Sequence, residues 1–121
     1  MTNADYLFVY GTLKRGFCNH HWLGGARYIS AAKTVKDFAL YTIEYPFLCH
    51  TPALYPVFGE VYQISASELA RADELEQHPD DYCREVIEVL LEDGTPLMAW
   101  AYFHPRPQGR LLTEGVFTAG A

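Results

Sequence analysis

The first apolar run of the chain is Leu7, Phe8, Val9 and Tyr10, a short aliphatic and aromatic stretch that predicts a buried strand and ends abruptly at Gly11. A glycine directly after a strand permits a positive φ, or lets a second backbone or a ligand come very close. Thr12 and Leu13 then present backbone N–H groups outside the ladder, suited to an anion or a carbonyl oxygen. Similar runs predict strands over Arg27 to Lys33, Phe38 to Ile43 and Val57 to Ile64. Tyr82 to Leu91 and Leu97 to Phe103 form a hairpin around Glu92-Asp93-Gly94. The spacing predicts one clear helix, from Glu68 to about Gln77, with Ser65 as N-cap, Glu68 closing a capping box and Pro79 as the stop.

Glu44 to Pro56 carries Pro46, Pro52 and Pro56 among aromatic residues, so it cannot be helical and its prolines keep it out of a sheet interior. It reads as a long loop, and loops of this length in compact domains are often functional. The tail from Pro105 to Ala121, with Arg106-Pro107-Gln108-Gly109, is expected to wrap the surface. About six strands and one helix indicate a compact α+β domain spanning residues 1–121, with strands that tend to close on themselves.

Composition narrows the function. Half of the 121 residues are apolar and 15% are aromatic, which supports a packed core. A net charge of −6, with Lys14-Arg15 as the one tight basic pair, argues against nucleic acid or a membrane surface as partner. No signal-like or long apolar segment appears, so the expected location is the cytoplasm. Cys18, Cys49 and Cys83 are odd in number, lie far apart and form no C-x-x-C, as expected of free thiols in a reducing compartment. His20 and His21 are adjacent and so do not face one way on a helix, and no third ligand stands at a useful spacing. His50, His78 and His104 are scattered, and no metal site is expected.

Two carboxylates merit attention. Leu69 and Glu76 lie roughly 20° apart on a helical wheel, with Ala72 roughly 40° from Glu76. Glu76 therefore shares the face that should pack inward. Desolvation would raise its pKa, and an ionised Asp73 one turn earlier would push the same way, which suits acid–base work near neutral pH. On geometry alone, a glutamate at the rim of the core is the commoner situation. Glu60 alternates onto the face of Phe58, Tyr62 and Ile64, as a second candidate carboxylate, a paired structural anion or a solvent-facing residue at a strand edge. It ranks behind Glu76.

Tyr10-Gly11-Thr12-Leu13-Lys14-Arg15-Gly16, with Asn19 and His20 soon after, resembles the opening of the gamma-glutamylcyclotransferase-like family, most nearly its gamma-glutamylamine cyclotransferase branch and small bacterial members. Gly59-Glu60-Val61-Tyr62 and Asp73-Glu74-Leu75-Glu76-Gln77-His78-Pro79, followed by Tyr82 and Arg84, continue the resemblance in order over most of the chain. The resemblance implies a small mixed β-barrel with the helix packed beside it. It also implies a substrate loop at Tyr10, Gly11, Thr12 and Leu13, the catalytic glutamate at Glu76, and Tyr82 and Tyr102 lining the pocket. The Glu44–Pro56 segment would border the substrate and govern which one is taken.

The implied reaction is intramolecular. The α-amine of a gamma-glutamylamine or gamma-glutamyl amino acid attacks its own γ-carbonyl, giving 5-oxoproline and a free amine, with Glu76 as general acid and base and no metal or organic cofactor. The expected partner is this small molecule alone; oligomeric state is open, with a monomer slightly favoured. Two other readings stand beside it: a non-catalytic binding or regulatory module on the same fold, and a cyclotransferase for a specialised gamma-glutamylated metabolite. Cys18, close to the loop, is the one candidate for nucleophilic chemistry instead, with nothing evident to lower its pKa.

Overall fold

A computed structural model of the chain describes residues 5–11, 13–14, 23, 25–43, 46–76, 78 and 82–117. Eight strands and one helix follow one another as β1 (Asp5–Val9), β2 (Arg27–Thr34), β3 (Ala39–Thr42), β4 (Pro46–Cys49), β5 (Phe58–Ile64), α1 (Ala66–Leu75), β6 (Cys83–Leu91), β7 (Pro96–Phe103) and β8 (Arg110–Leu111). The sheet order is β1-β5-β2-β6-β7-β4-β3-β8, and a parallel contact of Leu7 with Trp100 joins β7 back to β1. Five strands thus close into a ring, while β4, β3 and β8 extend from β7. The fold is α+β, as expected, and the ring contains five strands.

Side-chain alternation gives this ring two apolar faces. Phe8, Ala32, Val61, Val89, Ala99 and Ala101 come from its five strands and form one cluster, the inner face. Leu7, Val9, Tyr62, Ile64 and Tyr102 form the other cluster, together with Leu69 and Ala72 of α1. The helix therefore lies on the outer face, over β1, β5 and β7. Its start follows the sequence signal: the Glu68 N–H donates to Ser65 Oγ at 3.2 Å, and the Glu68 carboxylate accepts the Ser65 N–H at 2.8 Å. Ser65→Ala should lower stability by about 1 kcal/mol, read by urea denaturation.

Two parts of the chain depart from expectation. Pro46–Cys49, inside the predicted loop, is a fully buried strand, antiparallel to β3 and parallel to β7. The proline is admissible because it is the first residue of the strand; the apolar Phe47-Leu48-Cys49 behind it supplies the burial. The tail is more than a surface wrap. β8 pairs with β3, the Gly115 carbonyl accepts the Phe58 N–H at 2.7 Å, and Leu112 and Phe117 are buried in the inner cluster. The hairpin turn is as predicted, with Gly94 at φ 89° and the Leu91 N–H donating to the Thr95 carbonyl at 2.8 Å. The expected helix stop at Gln77 and Pro79, and Arg15 through Trp22 with Cys18 and the His20-His21 pair, lie outside the described residues.

Candidate active site

The sharp end of β1 brings backbone and aromatic groups to one place. Tyr10 is buried, donates its hydroxyl proton to the Tyr102 carbonyl at 2.8 Å and accepts the Leu48 N–H at 3.3 Å. Its hydroxyl is thereby spent inside the protein, so Tyr10 can offer a ligand chiefly its ring. Gly11 is a close-approach glycine, because a Cβ there would stand 2.5 Å from Cγ of Pro46. The turn that follows is closed by the Lys14 N–H on the Gly11 carbonyl at 3.0 Å. Leu13 is buried in the outer cluster, and Thr12 lies outside the described residues. Lys14 is also buried, with Nζ donating to the Phe117 carbonyl at 2.7 Å. Burial lowers its pKa, and Glu60 opposes that shift.

Glu76 is the C-cap of α1, its N–H bonded to the Ala72 carbonyl at 3.0 Å. Leu69 and Ala72 are buried as the helical wheel requires, and Glu76, next on the same face, is partly buried. Part of the residue stays exposed, yet its carboxyl is desolvated enough that burial pushes its pKa up to about 7. The charge of Glu76 in turn reaches two tyrosines. The pKa of Tyr10 is raised by burial first and by Glu76 and Tyr82 next. That of Tyr102 is raised by burial, by its bond to Asp73 and also by Glu76. Glu76, Tyr10, Tyr82 and Tyr102 are thus brought together, with buried Cys49 at the end of β4 beside them.

Asp73 has a different role from the one expected. It accepts the Tyr102 hydroxyl at 2.6 Å and Arg84 Nε at 2.7 Å, both on Oδ1. Burial alone would raise its pKa, but the bonds from Arg84 and Tyr102 and the charges of Arg84 and His78 outweigh it and hold the carboxyl below its usual range. Asp73 is therefore ionised at neutral pH, but burial, and not Asp73, is what raises Glu76. Glu60 accepts the Tyr62 hydroxyl at 3.0 Å and lies within electrostatic reach of Lys14, the surroundings of a paired anion.

The sequence placed the Glu44–Pro56 segment at the substrate, but as a loop and not as the buried strand β4, and it gave no sign of the Asp73–Arg84 pair. The apolar Phe47-Leu48-Cys49 run was the available signal for the strand. A separate cleft of about 350 Å³, lined by residues such as Lys33, Phe58, Leu91 and Glu92, shares no lining residue with the site. Among the described residues, no His, Cys, Asp or Glu cluster could hold a metal, and no helix is long and apolar enough to cross a membrane. Cys49 and Cys83 are free thiols.

The family model of gamma-glutamyl cyclotransferase, AIG2-like, matches residues 7–119. The chain belongs to this family. Among gamma-glutamylcyclotransferase relatives, a Methanocaldococcus jannaschii protein provisionally given that name is 37% identical over 112 residues, 92% of this chain and 93% of that one. Gamma-glutamylaminecyclotransferase A of Danio rerio is 35% identical over 97 residues, covering 73% of this chain and 60% of its own. In three dimensions the chain is similar to a mouse AIG2-like protein, with a TM-score of 0.87, 27% identity and coverage of 99% of this chain and 92% of that one. The AIG2-like match spans every element of the site, from Tyr10 to Tyr102.

Proposed function

We propose that this protein is a cyclotransferase that converts a gamma-glutamylamine or gamma-glutamyl amino acid into 5-oxoproline and a free amine, with Glu76 as general acid and base. The observation that carries this is Glu76 itself: a desolvated carboxylate with a pKa near 7, at the end of α1, beside Tyr10 and Tyr102. Ionised Glu76 takes a proton from the substrate α-ammonium. The freed amine nitrogen attacks the γ-carbonyl carbon, and a new C–N bond closes the five-membered ring. Backbone N–H groups of the Gly11–Leu13 segment hold the developing oxyanion or the substrate carboxylate. Protonated Glu76 returns its proton to the leaving nitrogen as the old C–N bond breaks, and the second proton on the ring nitrogen passes to the departing amine, which leaves as its ammonium. Tyr10, Tyr82 and Tyr102 form the walls that fold the substrate into its reactive pose. Because nucleophile and electrophile belong to one molecule, the step calls on no cofactor.

The name of the Danio rerio relative supports gamma-glutamylamines as the first substrates to try. Incubation with gamma-glutamyl-ε-lysine and a panel of gamma-glutamyl amino acids should release 5-oxoproline, measured by chromatography. Binding of these compounds without release would replace the enzyme by a ligand-binding module.

A further inference from the structure

Tyr102 is held at both ends. Its carbonyl receives the Tyr10 hydroxyl at 2.8 Å, and its own hydroxyl donates to Asp73 Oδ1 at 2.6 Å. The receiver of that second bond is fixed as well. Arg84 Nε bonds the same oxygen at 2.7 Å, and its guanidinium lies 4.2 Å from the centre of the Trp100 ring. An ionised carboxylate can only accept, and a phenol has one proton to give. With that proton committed to Asp73, only the lone pairs of the Tyr102 hydroxyl remain for a ligand.

We infer that Asp73 is a positioning residue: by taking the Tyr102 proton it makes that hydroxyl an acceptor toward the pocket, set to receive an N–H of the substrate's α-ammonium. The inference rests on the reaction proposed above and specifies how its nucleophile is recognised. The glutamyl group itself offers carboxylate and carbonyl oxygens as acceptors and, beside the neutral γ-amide N–H, one cationic donor, the α-ammonium. An acceptor-only hydroxyl within electrostatic reach of Glu76 disfavours the oxygens and favours the cationic ammonium. It thereby orients the nitrogen next to the carboxylate that must deprotonate it. Arg84 keeps Asp73 turned toward Tyr102 and so acts one step further back.

The test uses Glu76→Gln as host, so that bound ligand is not consumed. Calorimetry compares a gamma-glutamyl amide with its counterpart lacking the α-amino group. The host should prefer the α-amino ligand by about tenfold, the weight of one hydrogen bond to a charged group. Tyr102→Phe and Asp73→Ala, which leaves no acceptor for the Tyr102 proton, should each reduce that preference to about twofold or less, and the two together should do no more than either. A preference that survives Asp73→Ala, or falls further in the double variant, overturns the positioning role. Should Asp73→Ala fail to fold, Tyr102→Phe, which leaves the Asp73–Arg84 pair standing, must still abolish the preference. Release of 5-oxoproline by the unaltered protein alongside an unmoved preference overturns this inference alone. Absence of release alongside the expected pattern overturns only the reaction, and absence of binding overturns both.

Discussion

Glu76→Gln should lower 5-oxoproline release by about 10²- to 10⁴-fold, the usual contribution of a general acid–base, while leaving the protein folded. The same substitution should raise stability at neutral and alkaline pH. Burial lifts the folded-state pKa of Glu76 from 4.5 to about 7. Below pH 4.5 the residue is protonated in both folded and unfolded chains, and its charge adds no penalty. As pH climbs from 4.5 to 7 the unfolded chain gives up this proton while the folded one keeps it, so stability falls across that window and levels off above it. The loss amounts to about 3 kcal/mol, and glutamine, which never ionises, escapes it. Melting curves at pH 4.5 and pH 8 should therefore separate the variant from the native protein only at the higher pH. In turnover, kcat/KM should rise through about pH 7 as Glu76 ionises. An active Glu76→Gln together with an inactive Glu60→Gln would transfer the acid–base role to Glu60.

Gly59→Ala should be the most damaging small substitution in the sheet. Its Cβ would fall on the Val9 carbonyl oxygen and within 2.9 Å of Cζ of Phe8, both on β1. The backbone cannot yield there without loosening the β1–β5 ladder, where Val9 faces Glu60. Overpacking against backbone of this kind destabilises by about 3 kcal/mol, lowering Tm by roughly 10–15 °C in a domain of this size. Gly94 supplies the comparison: its φ is 89°, but nothing lies within 4 Å of an added Cβ. Gly94→Ala should be lowered only by its conformational penalty, about 1 kcal/mol. Equal melting temperatures for the two variants would refute the close-approach account. Because β1 leads directly into Tyr10 and Gly11, Gly59→Ala should also weaken the site in whatever fraction remains folded.

The hydrophobic pattern revealed much of this protein because its signals are local. Ser65 and Glu68 mark the helix start by a reciprocal bond within one turn. Glu92-Asp93-Gly94 marks the hairpin because the turn needs a positive φ. Leu69, Ala72 and Glu76 share a face by helical geometry alone. Pro46–Cys49 misled because prolines dominate the surrounding composition. Its strand character depends on partners far away in sequence, β3 and β7.

By itself the sequence determined the elements, the placement of Glu76 on an inward face and, through Tyr10–Leu13 and the segment around Glu76, the family. Tertiary structure alone decided the closure of five strands into a ring, since the Leu7–Trp100 contact joins residues with no local relation. It also decided that Asp73 turns to Arg84 and Tyr102, leaving burial to tune Glu76. Periodicity states which face a side chain occupies. Which charge it meets there depends on strands brought across that face by the packing of the whole chain.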